Sequence, residues 1–341
     1  MRHSINKKKY QSINLLIFLI AIIGIACGSG DLVDLDKESI NTSNLMATND
    51  KLISEPATLK IVTTTDILKE WVNITGGSRV EVHAMVPRDS DPHGFRLTPK
   101  DVAKIENADA IFLIGSGYED GWLYKLSNTV TKRVINLSEH LDMIALSSST
   151  NIEVEKVSDH DNDNGALDPH FWHDPNRVID AIEIISLELS DLDPEAVEYF
   201  GQNASNYVSE LKDLDNWIYS YINKIPIHKR LLITNHRTMS YFAHRYDFTV
   251  LGDVIDSFYS NDNPTPRDIV DILDLIDQNN VKVIFGEPQM EDKIMALISE
   301  ETGIMISVLH SESLGAIGSE ADNYIGMMKK NVNIIVDGLG R

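Results

Sequence analysis

Residues 194–225 read PEAVEYFGQNASNYVSELKDLDNWIYSYINKI. Val197, Phe200, Ala204, Tyr207, Leu211, Leu214, Ile218 and Tyr221 recur at spacings of three and four, the period of one face of an α-helix. No proline or internal stop interrupts the run, and the single Gly201 is tolerable in a helix. Some thirty helical residues would span roughly 45 Å at 1.5 Å per residue, longer than one small domain is wide. A helical hairpin is the competing reading, but no turn signal divides the stretch. The pattern predicts one rigid helix running between two bodies of structure.

On both sides of it, short apolar runs alternate with helical patterns. Before it, residues 59–65, 80–86, 110–115 and 134–137 read as strands, and 67–75, 98–107 and 119–128 as helices. Thr98-Pro99 fits the cap and first-turn preferences of the second of these helices. After it, residues 230–234, 249–254, 281–286 and 304–309 read as strands, and 239–245, 266–278, 290–302 and 324–339 as helices. Alternation of this kind implies mostly parallel sheets with helices on their faces. The expected class is α/β: two lobes, 58–192 and 226–341, each with a mostly parallel sheet flanked by helices, joined by a long linking helix at 193–225. The length of 341 residues agrees, since about 150 residues per domain suggests two units.

Composition removes several functions. There are 52 Asp and Glu against 30 Lys and Arg, a formal charge of −22. Nucleic acid is not an expected partner, because a phosphate backbone is bound by clustered Lys and Arg. Docking to an anionic membrane through basic patches is disfavoured for the same reason. A single cysteine excludes an intrachain disulfide and any multi-thiolate zinc site.

Residues 1–27 hold four bases, Arg2, Lys7, Lys8 and Lys9, and no acid, followed by the apolar run Leu15–Ala26. That run is short of the ~20 residues a membrane span needs and suits the core of a signal peptide. Cys27 ends it in Ile23-Gly24-Ile25-Ala26-Cys27-Gly28, which resembles a bacterial lipobox, although Gly24 stands where leucine is usual. Lipidation of Cys27 is the expectation; a plain secretory signal or an uncleaved anchor is the alternative. Residues 28–57 are rich in Ser, Asn, Asp and Thr, lack an apolar period and read as an acidic flexible tether.

Four segments carry the candidate chemistry: Asp91-Pro92-His93, Asp168-Pro169-His170-Phe171-Trp172-His173, Asn235-His236-Arg237, and His310-Ser311-Glu312-Ser313. All lie at expected carboxyl ends of strands or in the following loops, where ligands of open α/β sheets collect. Two fall in each half. Neutral imidazoles with a carboxylate suit Zn²⁺, with Mn²⁺ also possible. Taken singly, a histidine beside proline is an ordinary turn residue, and spacing by itself leaves the metal reading open.

Residues 58–340 resemble the substrate-binding lipoproteins of bacterial zinc/manganese ABC importers. The likeness rests on Val86-Pro87 with Asp91-Pro92-His93, on Ala108-Asp109 with Gly115-Ser116-Gly117-Tyr118-Glu119-Asp120-Gly121-Trp122, and on Asp168-Pro169-His170-Phe171-Trp172. It continues through Asn235-His236, Tyr241-Phe242-Ala243, Tyr246, Phe285-Gly286-Glu287-Pro288-Gln289, Ser313-Leu314-Gly315, and Tyr324 with Met327-Met328-Lys329-Lys330-Asn331. The resemblance implies His93, His170, His236 and Glu312 as metal ligands. Glutamate at 312 departs from the family's frequent aspartate and leaves one- or two-oxygen coordination open. Manganese-dedicated members often carry a carboxylate where this chain has His236, so three imidazoles and one carboxylate favour Zn²⁺ over Mn²⁺ as cargo. His173 could reach the site but is expected at the surface or as a cap, His310 is expected at the cleft rim, and His244 is expected to face the sheet or solvent. His160 sits in an acidic loop, a poor version of the His-rich loop that zinc members often carry.

The expected function is therefore capture rather than catalysis. A lipid-anchored monomer outside the cytoplasmic membrane would bind Zn²⁺ between its lobes and hand it to the permease and ATPase of an ABC importer. Those would be separate chains, since no phosphate-cradling Gly-rich loop ending in Lys-Ser/Thr occurs here. A long linking helix would limit hinge closure to small lobe shifts and reordering of the loops bearing His170, His236 or Glu312. An exported zinc-dependent hydrolase is the alternative from another class. It is weakened by a four-ligand set that closes the shell and by the lack of a His-Glu-x-x-His helix. A metal-binding surface adhesin, a role some members of that family are thought to have, is the third reading.

Overall fold

In the computed structural model the residues described are 58–119 apart from 89, 91 and 93, then 122, 132–145, 167–254, 266–288 and 293–340. The signal segment, Cys27, the tether, His93, His160 and most of the helix expected at 119–128 lie outside them.

Among the described residues, eight strands form two sheets. The first contains β1 (Leu59–Thr63), β2 (Val80–Ala84), β3 (Ala110–Leu113) and β4 (Arg133–Asn136) in the order β2-β1-β3-β4, with every pairing parallel. The second contains β5 (Leu231–Thr234), β6 (Thr249–Asp253), β7 (Val283–Gly286) and β8 (Met305–Val308) in the order β6-β5-β7-β8, again all parallel. In both sheets the strand order reverses between the first and third strands. The crevice beyond their carboxyl ends is the place where open α/β sheets bind ligands.

The helices are α1 (Asp66–Gly76), α2 (Pro99–Asn107), α3 (Pro175–Leu192), α4 (Val197–Ile222), α5 (Ser240–Tyr246), α6 (Pro266–Asn279), α7 (Lys293–Thr302) and α8 (Tyr324–Leu339). Their starts follow local chemistry. Thr65 caps α1 by accepting from the Leu68 N–H, Thr98 and Asp101 form a capping box on α2 with Pro99 in its first turn, and Asp174 caps α3 ahead of Pro175.

Helix α4 is the element expected at 193–225, shortened at both ends. Residues 194–196 form a 3₁₀ turn, and the α-helix of 26 residues, about 39 Å long, stops at Ile222, four residues before Pro226. Its amino-terminal part is tied to the first sheet's side, where the Tyr199 hydroxyl accepts from the Ser78 N–H at 3.3 Å and Asn203 donates to the Thr75 carbonyl at 3.1 Å. Its carboxyl-terminal part is tied to α5, where Asp215 accepts from Arg245 at 2.6 Å and from the Tyr246 hydroxyl at 2.9 Å.

The strands alternate faces with the period of two that a pleated sheet imposes. Ile61 and Phe112 of the first sheet, and Leu232, Val283 and Phe285 of the second, enter one continuous apolar core with α1, α3, α4, α5 and α8. Val62, Ile111 and Leu113 face the other way and pack with Ile105 of α2, while Ile233 and Ile284 pack with Ile272 and Ile276 of α6 and Met295 and Ile298 of α7. The two sheets thus share a core. That sharing holds the carboxyl ends of both sets of strands near one another.

Candidate metal centre

His236 lies two residues beyond β5, and Glu287 immediately follows β7. Thr234 and Phe285 are paired in register, so the side chains two positions further on meet, and His236 Nδ1 is 2.7 Å from Glu287 Oε1. From the other half, the Asp168-Pro169-His170 segment leads into the 3₁₀ turn Phe171–His173 and then α3. Asp168 Oδ1 accepts from the His170 backbone N–H at 2.9 Å and lies 2.7 Å from His170 Nδ1. Each imidazole therefore has its Nδ1 against a carboxylate and its Nε2 directed elsewhere.

Both Nε2 atoms point at Glu312, in the loop after β8. Glu312 Oε1 is 2.9 Å from His170 Nε2 and 3.2 Å from His236 Nε2, and one ligand atom from each of the three residues lies within 4.8 Å of the others. Both histidines are fully buried and Glu312 is 4% exposed. Burial by itself opposes charge on His170, but Glu312 and Asp168 outweigh it and hold its pKa up at about 9. His236 is likewise raised well above the ordinary imidazole value, burial being outweighed by Glu287 and Glu312. Two imidazoles and three carboxylates, all buried, form a site in which a divalent ion can take the place of imidazole protons.

Three of the four ligands expected from the sequence thus meet. The fourth, His93, lies outside the described residues. His173, expected at the surface or as a cap, is fully buried, and its Nε2 donates to the Ser311 carbonyl at 3.0 Å beside the Trp172 indole N–H at 2.7 Å. Burial and the neighbouring charge of His170 push its pKa down to about 4, so it remains neutral. It grips the backbone next to Glu312 rather than pointing at the ligand atoms. His310 is half-buried, with its main chain bonded to the Asn331 side chain, and His244 is exposed.

Asp168, Glu287 and Tyr118 stand in the sequence motifs above but take contacts that the motifs do not announce. The Tyr118 hydroxyl donates to Glu312 Oε2 at 3.0 Å, and burial together with Glu312 keeps the phenol protonated by raising its pKa. A signal for the two carboxylates was present: Asp168 stands two residues before His170, and Glu287 occupies the strand end next to that of His236.

Two parallel sheets around a buried imidazole–carboxylate cluster define a two-lobed binding protein for a metal ion. The family model of the zinc-uptake complex component A periplasmic proteins matches residues 61–338, and the chain belongs to that family. A manganese-binding lipoprotein of Halalkalibacterium halodurans is 28% identical over 96% of this chain and 98% of its own length. A manganese ABC transporter substrate-binding lipoprotein of Streptococcus pneumoniae is 29% identical over 96% and 98%. Among solved structures, the periplasmic zinc-binding protein of Treponema pallidum shares the fold with a TM-score of 0.73 at 22% identity, over 84% of this chain and all of that one. Membership of that family makes the protein an extracytoplasmic metal-binding component of an ABC importer, and not an enzyme, which sets aside the hydrolase reading. Among the described residues no helix is long and apolar enough to cross a membrane.

Proposed function

We propose that this protein captures Zn²⁺ through His93, His170, His236 and Glu312, between lobes formed by residues 58–192 and 226–341, and delivers it to an ABC permease driven by an ATPase. The observation that carries the reading is the convergence of two imidazole Nε2 atoms on one carboxylate oxygen, at 2.9 and 3.2 Å. Zinc is supported by the donor chemistry. Three neutral imidazoles and one carboxylate suit a borderline ion that accepts four nitrogen and oxygen donors, whereas Mn²⁺ favours oxygen-rich, higher-coordinate sites. Residues 193–225 serve as the linking helix. The protein acts as a monomer held to the membrane by a lipid on Cys27.

Manganese is the second reading, favoured by the names of the relatives from H. halodurans and S. pneumoniae. Calorimetric titration of the metal-stripped protein with each ion separates the two. Zn²⁺ is expected to bind more tightly, and His236→Glu to shift the preference towards Mn²⁺. Equal affinity of the wild type for both ions would remove the zinc assignment. No binding of either would remove the site.

A further inference from the structure

The loop that carries Glu312 leaves the second sheet after β8, yet its main chain is held from the side of the first. Before Glu312, the Ser311 carbonyl accepts from the Trp172 indole N–H at 2.7 Å and from His173 Nε2 at 3.0 Å. After it, Asp66 Oδ2, at the start of α1, accepts from the Ser313 hydroxyl and from the Leu314 N–H, both at 3.2 Å. Arg88, in the loop after β2, donates through Nη1 to the Gly315 carbonyl at 2.8 Å. Its Nε pairs with the same Asp66 oxygen at 3.2 Å, so one carboxylate and one guanidinium tie α1, the β2 loop and residues 313–315 together. Glu70, one helical turn after Asp66 on the same face of α1, accepts from the Tyr324 N–H at 2.8 Å. The connection from Glu312 to α8 is thus gripped near both ends by the first half of the chain.

We infer that Asp66 and Arg88 are positioning residues that clasp the Glu312 loop to the other half of the chain, and so set how fast the metal enters and leaves rather than how tightly it is held. The inference rests on the capture site proposed above. His170 and His236 are fully buried and Glu312 nearly so, and an ion therefore reaches their ligating atoms only after a covering segment moves. Drawing residues 311–315 away from the first half breaks the bonds to Asp66 and Arg88. None of those bonds uses a ligating atom, so they form equally well with and without metal. A contact common to the free and loaded forms, and lost only in the opened form between them, slows entry and exit by the same factor and cancels from the equilibrium constant.

Arg88→Gln and Asp66→Asn each remove a charge and keep a polar side chain of similar shape. The full chain, stripped of metal, is mixed rapidly with Zn²⁺ and separately with Mn²⁺, and the loaded protein is mixed with excess chelator. Tryptophan fluorescence reports both steps, since the Trp172 ring stands 5.2 Å from that of His170. Each variant should raise the association and release rates together by about tenfold, the equivalent of a hydrogen bond to a charged group, and keep Kd within about threefold of the wild type. The double variant should add little to either single one, because both break the same network. Hydrogen exchange across residues 311–315 should quicken in parallel. Unchanged rates, or a weakened Kd with an unchanged association rate, would overturn the inference and leave the capture site standing. Failure of the wild type to bind either ion would overturn the site itself. Should Asp66→Asn not fold, Arg88→Gln decides, since it alters a partly exposed side chain.

Discussion

His236 Nδ1 lies 2.7 Å from Glu287 Oε1 because the two residues stand two positions beyond Thr234 and Phe285, which pair across β5 and β7. Asp168 does the same for His170 from the other half, also at 2.7 Å. Carboxylates in this position fix the imidazole tautomer and orientation and strengthen its other nitrogen as a ligand. Glu287→Gln and Asp168→Asn should each lower metal affinity by roughly ten- to a hundredfold, without loss of the fold. Titration calorimetry with circular dichroism checks this, and wild-type affinity in both variants would refute it.

Metal capture should release protons. Burial opposes charge on both imidazoles, but the carboxylates beside them hold His170 up at about 9 and raise His236 well above its ordinary value, and any proton carried on the ligating nitrogens must leave before they coordinate. Affinity therefore falls as pH falls below about 9. Titrations at pH 7 in buffers of differing ionisation enthalpy should report protons released on binding. A value near zero would contradict the arrangement.

Glu70 and Asp66 should make stability pH-dependent in a defined direction. Burial raises Glu70 to about 7, opposed by the Tyr324 N–H that it accepts at 2.8 Å, and raises Asp66 to about 6, opposed by Arg88. The folded state thus binds more protons than the unfolded chain, and stability falls as pH rises from the ordinary carboxylate range through 6 to 7. Glu70→Gln keeps an acceptor for Tyr324 but carries no charge. It should stabilise the protein at pH 8 by about 2 kcal/mol and change little at pH 4. Denaturant unfolding at the two pH values tests it; equal effects at both would refute it.

Leu211 of α4 is fully buried in the core shared by both sheets. Leu211→Ala should cost about 3 kcal/mol and lower a single unfolding transition. Calorimetry resolving two transitions, only one of them shifted, would show that the halves melt separately.

Much of this molecule was legible in its sequence because the signals are local. Short apolar runs marked the eight strands, the three-and-four spacing marked α4, and the family resemblance pointed to His170, His236 and Glu312. The ends of α4 were misjudged by a few residues, since a 3₁₀ turn continues a helical apolar spacing without continuing the α-helix. The interior position of His173 could not be read from its neighbours, because it depends on the Ser311 carbonyl 138 residues away.

What sequence determined alone was the kind of fold and the residue types offered at each strand end. Tertiary structure decided which of many acids meets which histidine, and which oxygen of Glu312 is given to Tyr118 rather than to the imidazoles. The physical reason is that His170 and Tyr118 meet Glu312 from the side of the other sheet. Their distances are set by the apolar core the sheets share, and no chain-local pattern records how two such faces come to lie against one another.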